Sequence, residues 1–99
     1  MAKKKARYVV VRDNRAGVYA GVKLKVAGKT VLRNARHIWS WQGRLSTSDI
    51  AARGLSGPEC IGSKVAAPVR RIELCDVVQI NECTAEVRKS IEEFSPWQR

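Results

Sequence analysis

From Val18 to Ala27 the chain alternates. Val18, Ala20, Val22, Leu24 and Val26 fall on one parity, and Tyr19, Gly21, Lys23, Lys25 and Ala27 on the other. A period of two predicts a strand with one apolar and one basic face. The β-branched run ahead of it, Tyr8 to Asp13, predicts another strand. Asp13-Asn14-Arg15-Ala16-Gly17 is a turn by composition. Gly28-Lys29 suits a two-residue hairpin loop, and a third strand follows from about Thr30 to Trp41. The first forty residues therefore predict an antiparallel three-strand meander.

Gln42-Gly43 breaks the alternation. Ser46 with Asp49 three residues on resembles a capping box, so a short helix should run to Arg53 and stop at Gly54. Gly57-Pro58 and Gly62 mark a loop reaching about Lys64. Ile72, Leu74, Val78 and Ile80 share one parity with Asp76 interrupting, which fits two short strands joined near Cys75-Asp76. Thr84 is a good helix cap, and Val87, Ile91 and Phe94 form a narrow helical stripe closed by Ser95-Pro96. Trp97 should fold back on the core or dock on a neighbour. The fold class is α+β: meander, short helix, one or two further antiparallel strands, C-terminal helix. A basic flexible tail over residues 1–7 precedes a single domain over 8–99.

Charge changes the picture. The 99 residues carry a net +10, and it is uneven: +13 up to Arg71 and −3 from Ile72 onward. An excess of this kind favours an anionic partner, whether a nucleotide, nucleic acid or an acidic surface. A domain this small has limited core, and self-association would add burial, so a homo-oligomer is expected. No apolar stretch is long enough for a secretory signal or a membrane span, which points to a soluble cytoplasmic protein. Cys60, Cys75 and Cys83 are odd in number, widely spaced and lack a C-x-x-C pair. They read as buried free thiols, not as a metal site.

The candidate chemistry concentrates in Arg33-Asn34-Ala35-Arg36-His37-Ile38-Trp39-Ser40-Trp41. On a regular strand, Arg33, His37, Trp39 and Trp41 share one face, and Asn34, Arg36 and Ile38 the other. Flat aromatic surface beside guanidinium donors suits a nucleobase with an attached phosphate. The same rings could instead close a hydrophobic core. Arg15-Ala16-Gly17-Val18-Tyr19-Ala20-Gly21 is a second candidate, where small residues allow close backbone approach; the plainer reading is a tight turn with a bulge near Gly21. The expected ligand-binding set is Arg12, Gly17, Tyr19, Arg33, Asn34, Arg36, His37, Trp39 and Trp41. No nucleophile elbow, phosphate loop, zinc-protease motif or dinucleotide fingerprint occurs, and His37 is the only conventional base near neutral pH. A non-enzyme with no cofactor and no metal is expected.

Three segments carry a resemblance. Tyr8-Val9-Val10-Val11-Arg12, Ala16-Gly17-Val18-Tyr19-Ala20-Gly21 and Asn34-Ala35-Arg36-His37-Ile38-Trp39-Ser40-Trp41 resemble a family of small phage and prophage proteins of unknown function, and the pattern from Ile72 to Ile80 continues the likeness. More distantly, the order of sheet, helix, second small sheet and helix is similar to the phage Thoeris anti-defence sponges. That likeness implies an oligomer that sequesters, without cleaving, a nucleotide immune signal of the infected bacterial host. The signal would be a cyclic ADP-ribose isomer or a cyclic di- or trinucleotide. None of that family's ligand residues is carried over here. A basic nucleic-acid-binding protein and a protein inhibitor of a host enzyme are the alternatives.

Overall fold

The computed structural model describes residues 7–97. Six strands and two helices follow in the order β1 (Arg7–Asp13), β2 (Gly17–Val26), β3 (Lys29–Ser40), α1 (Thr47–Arg53), β4 (Lys64–Val65), β5 (Val69–Leu74), β6 (Val77–Glu82) and α2 (Ala85–Glu92), with a single 3-10 turn at Pro58–Cys60. The expected α+β architecture is therefore present, meander included. The expected tail lies outside the described residues apart from Arg7, which opens β1. The short β4 appears where a loop was expected to end.

All strand pairing is antiparallel: β1–β2, β2–β3 and β1–β6, with the free side of β3 shared between β5 and β4. This order forces curvature. Strands β5 and β6 stand at opposite ends of the path β5-β3-β2-β1-β6. Only Cys75 and Asp76 join them. Two residues, even fully extended, fall well short of the width of that many paired strands laid flat. The sheet must curl, and Val9, Val11, Leu32, Ala35 and Leu74 are buried inside the curl. On the outer face, α1, the turn after it and α2 pack Ile50, Ala51, Leu55, Val87 and Ile91 against Tyr8, Val10, Ala20, Val22 and Ile38. The alternation of β1 and β2 is thus satisfied by two cores, one per face.

The caps follow the sequence. The Ser46 hydroxyl accepts from the Asp49 N–H while the Asp49 carboxylate accepts from the Leu45 N–H at 2.9 Å. Gly54 ends α1 with φ of 73°. The Thr84 hydroxyl accepts from the Val87 N–H at 3.2 Å. Trp97 folds back, its N–H bonding the Val65 carbonyl at 2.8 Å and its ring stacking on Trp39 at 5.2 Å. The three thiols are free; Cys60 is buried and Cys83 half-buried, but Cys75 is exposed at the β5–β6 turn, contrary to the expected burial. Among the described residues no helix is long and apolar enough to cross a membrane.

Regular alternation fails at one place in β3. Val22 pairs with Arg33 and Ala20 with Arg36, so Asn34 and Ala35 together oppose Gly21. This is a β-bulge, the plainer of the two readings of the Gly21 segment. Asn34 adopts a positive φ, in the left-handed region that asparagine tolerates better than most residues. Gly21 is required there: a Cβ would lie 3.0 Å from the Arg33 carbonyl oxygen and 3.2 Å from the Ala35 Cα. The extra residue reverses the parity of everything after it.

Candidate functional site

The bulge corrects the expected faces. Opposed residues share a face, so Arg33 with Val22 and Arg36 with Ala20 both lie on the helix side of the sheet. Arg33 and Arg36 were expected on opposite faces, and Arg33 and His37 on the same one; neither holds. His37 instead pairs with Tyr19 on the inner face. Trp41, past the end of β3, packs toward the helix-side core, away from His37's face.

Arg36 is a structural residue. It is 2% exposed. Its Nε donates to the Ala66 carbonyl at 2.8 Å, and one terminal nitrogen donates to the carbonyls of Ile91 at 2.7 Å and Phe94 at 2.6 Å. The Ile91 carbonyl, which also accepts the Phe94 N–H at 3.3 Å, and the Phe94 carbonyl lie at the C-terminal end of α2, where a cation meets the negative end of the helix dipole. Burial lowers its pKa from the ordinary arginine value, partly countered by Tyr8, but a guanidinium stays charged. Among the described residues its other terminal nitrogen and the Tyr8 hydroxyl have no hydrogen-bond partner. Burial raises the Tyr8 pKa, with Glu92 and Cys83 adding to it. Arg36 therefore leaves the ligand-binding set: a side chain committed to the C-terminus of α2 cannot reach a ligand.

Arg44 is spent similarly. Its guanidinium bonds the Gly54 carbonyl at 2.6 Å and the Ser56 carbonyl at 3.2 Å, holding the loop after α1. No sequence signal distinguishes such an arginine from a ligand-binding one.

A cleft of about 540 Å³ opens where the β1–β2 turn, the end of β3 and the start of α1 meet. Five expected residues line it: Arg12, Gly17, His37, Trp39 and Trp41. Arg33, Asn34 and Arg36 lie outside it, and Tyr19 supports it from behind by stacking on His37 with ring centroids 4.5 Å apart and planes 10° apart. The His37 ring meets Trp39 edge-on at 6.2 Å. Gly17 admits this arrangement, because its φ is 98° and a Cβ would lie 3.0 Å from the His37 Nε2.

The turn beneath the cleft is held by Asp13. Its carboxylate accepts from the N–H groups of Ala16 at 2.8 Å, Arg15 at 2.9 Å and, across the molecule, Asp76 at 2.9 Å. Those bonds, led by Ala16, hold the carboxyl below its ordinary pKa. Burial lowers the pKa of His37, so the imidazole is neutral at neutral pH. Arg12 is exposed and makes no ion pair among the described residues. Trp39 is 53% exposed, leaving aromatic surface open at the mouth.

The far wall of the cleft holds residues outside the expected set. Leu45, Ser46, Thr47 and Ser48 around the start of α1 and Gln79 of β6 form it, and Asp13, Asn14, Val18 and Ile38 line the rest. The Thr47 hydroxyl hydrogen-bonds the Gln79 side chain and ties α1 to β6. The hydroxyl cluster was visible as a capping signal, whereas Gln79 carries no local signal at all. The cleft can thus offer one guanidinium, a neutral imidazole, two indoles, the amides of Asn14 and Gln79 and several hydroxyls, beside the Asp13 carboxylate that is already bonded to three backbone N–H groups.

A family model matches residues 6–91, described as a domain of unknown function (DUF6948). No curated protein and no solved structure matches.

Proposed function

The chain belongs to the DUF6948 family, whose description assigns no activity, and we propose from the cleft that it is a non-catalytic binding protein for a small phosphate-bearing nucleotide. The observation that carries this reading is the convergence of Arg12, His37, Trp39 and Trp41 on one cleft. Its volume falls within the range of small-ligand sites, roughly 300–1,000 Å³. Arg12 supplies the paired donors a phosphate needs. Trp39 or Trp41 supplies a stacking surface, at about 1–3 kcal/mol per base. The hydroxyls of Ser46 and Ser48, bonded to each other at 2.9 Å, leave one O–H donor for a sugar or phosphate oxygen. The residues of the cleft form no nucleophile–base pair, which favours binding over turnover.

The finer reading is sequestration of a nucleotide immune signal, by a homo-oligomer encoded by a phage. It rests on the sequence resemblance and the basic charge. Isothermal titration with cyclic dinucleotides, cyclic trinucleotides and cyclic ADP-ribose isomers tests the binding. Heat with one of them, lost in Arg12→Ala and Trp39→Ala, supports it; no heat with any refutes it. Recovery of intact ligand from the denatured complex separates sequestration from hydrolysis. Affinity for long nucleic acid that falls steeply with salt, with no mononucleotide binding, would favour the nucleic-acid alternative instead.

A further inference from the structure

Away from the cleft, the β3–β5 ladder sets two arginines against each other. Arg33 and Arg71 are direct partners in the β3–β5 ladder, so their side chains leave the same face side by side. Both are exposed. Like charges in this position repel. Neither makes an ion pair among the described residues. The acid two residues along β5, Glu73, is held instead by Lys29 at 3.4 Å. The next residue, Asn34, is exposed and is the one non-glycine residue with positive φ among those described. A like-charged pair thus sits directly before the one left-handed non-glycine position among the described residues.

We propose that Arg33 and Arg71 form a second anion site, distinct from the cleft, that takes a phosphate group between the two guanidiniums. Each guanidinium offers a planar fork of donors matched to phosphate oxygens. A bound dianion converts the repulsion into two attractive contacts. The phosphate is either a free or nucleotide-borne group or a phosphodiester of a nucleic acid strand.

Charge reversal separates the site from general basicity. Arg33→Glu and Arg71→Glu are compared with Lys25→Glu, which makes the same charge change on the opposite face of the sheet. Inorganic pyrophosphate and a 12-nucleotide single strand are the probes, read by thermal melting and fluorescence anisotropy. Affinity for at least one probe should fall by roughly tenfold or more in each arginine variant relative to Lys25→Glu. At low salt without ligand, both arginine variants should melt higher than the parent protein, because the pair becomes attractive. Pyrophosphate alone showing the loss assigns a small phosphate ligand; the strand alone showing it assigns a nucleic acid backbone. Equal losses in all three variants, no binding of either probe by the parent, or a lower melting point of both ligand-free arginine variants would overturn the site.

Discussion

Replacing Arg36 with alanine tests the assignment of that residue to the fold. The guanidinium makes three bonds of 2.6–2.8 Å to carbonyls of Ala66, Ile91 and Phe94. Bonds from a charged donor contribute about 1.5–3 kcal/mol each, a gross gain of about 4.5–9 kcal/mol. Desolvating the guanidinium costs several kcal/mol in return. Truncation does not recover that cost cleanly, because it takes their charged donor from the Phe94 and Ala66 carbonyls and leaves the Ile91 carbonyl with backbone N–H donors alone. A net loss of about 3–5 kcal/mol follows. Domains of this size have about 5–15 kcal/mol in total. At about 4–8 °C per kcal/mol, the melting midpoint should fall by at least about 12 °C. Urea unfolding followed by circular dichroism gives the free energy, and amide exchange should show fraying at Ile91 to Phe94 before the rest. Arg36→Lys should rescue little, since one ammonium cannot span carbonyls on two segments. A loss below about 1 kcal/mol, or a loss of ligand affinity at unchanged stability, would refute the structural role and return Arg36 to the ligand set.

Other outcomes follow from particular contacts. Gly21→Ala should destabilise by about 1–3 kcal/mol in denaturant unfolding, because its Cβ meets the backbone of Arg33 and Ala35 and neither can move freely. Asn34 already carries the left-handed backbone. In the same assay Asn34→Ala should cost about 1–2 kcal/mol, and Asn34→Gly much less, since only that conformation is at issue. His37 titrates below the ordinary histidine value of about 6.5, so the unfolded chain binds more protons beneath that pH. Stability in urea should therefore decline as pH falls through this window. Affinity for an anionic ligand in the cleft should rise over the same window, because the bound anion favours protonated His37; His37→Gln should abolish both trends. Asp13 has its folded pKa held down, so its contribution is present above the unfolded value near 4 and is lost as pH falls through the folded one; Asp13→Asn should flatten the acid limb of the unfolding profile.

The order of elements was legible because it is written in local chemistry. Alternation set β1, β2 and the start of β3. Gly28, Ser46, Gly54 and Thr84 placed turns and caps within a residue or two of where they occur. Part of the cleft was legible too, since Gly17, His37, Trp39 and Trp41 stood out by residue type. The faces of β3 were not legible, because they depend on one extra residue at Asn34. A period-two reading carries no memory of an insertion, and a single insertion exchanges every later side chain between faces.

What the sequence by itself determined is an α+β chain with two-faced strands, capped helices and a basic excess. Only the tertiary structure decided how that excess is used. Arg36 is consumed by carbonyls 30 to 58 residues away, and Arg44 by the loop after α1. Arg12 is left open at the cleft, and Arg33 is set beside Arg71. The reason is physical. A guanidinium binds a backbone carbonyl and a phosphate with the same donors, so its role depends on which acceptors the folded chain brings within reach.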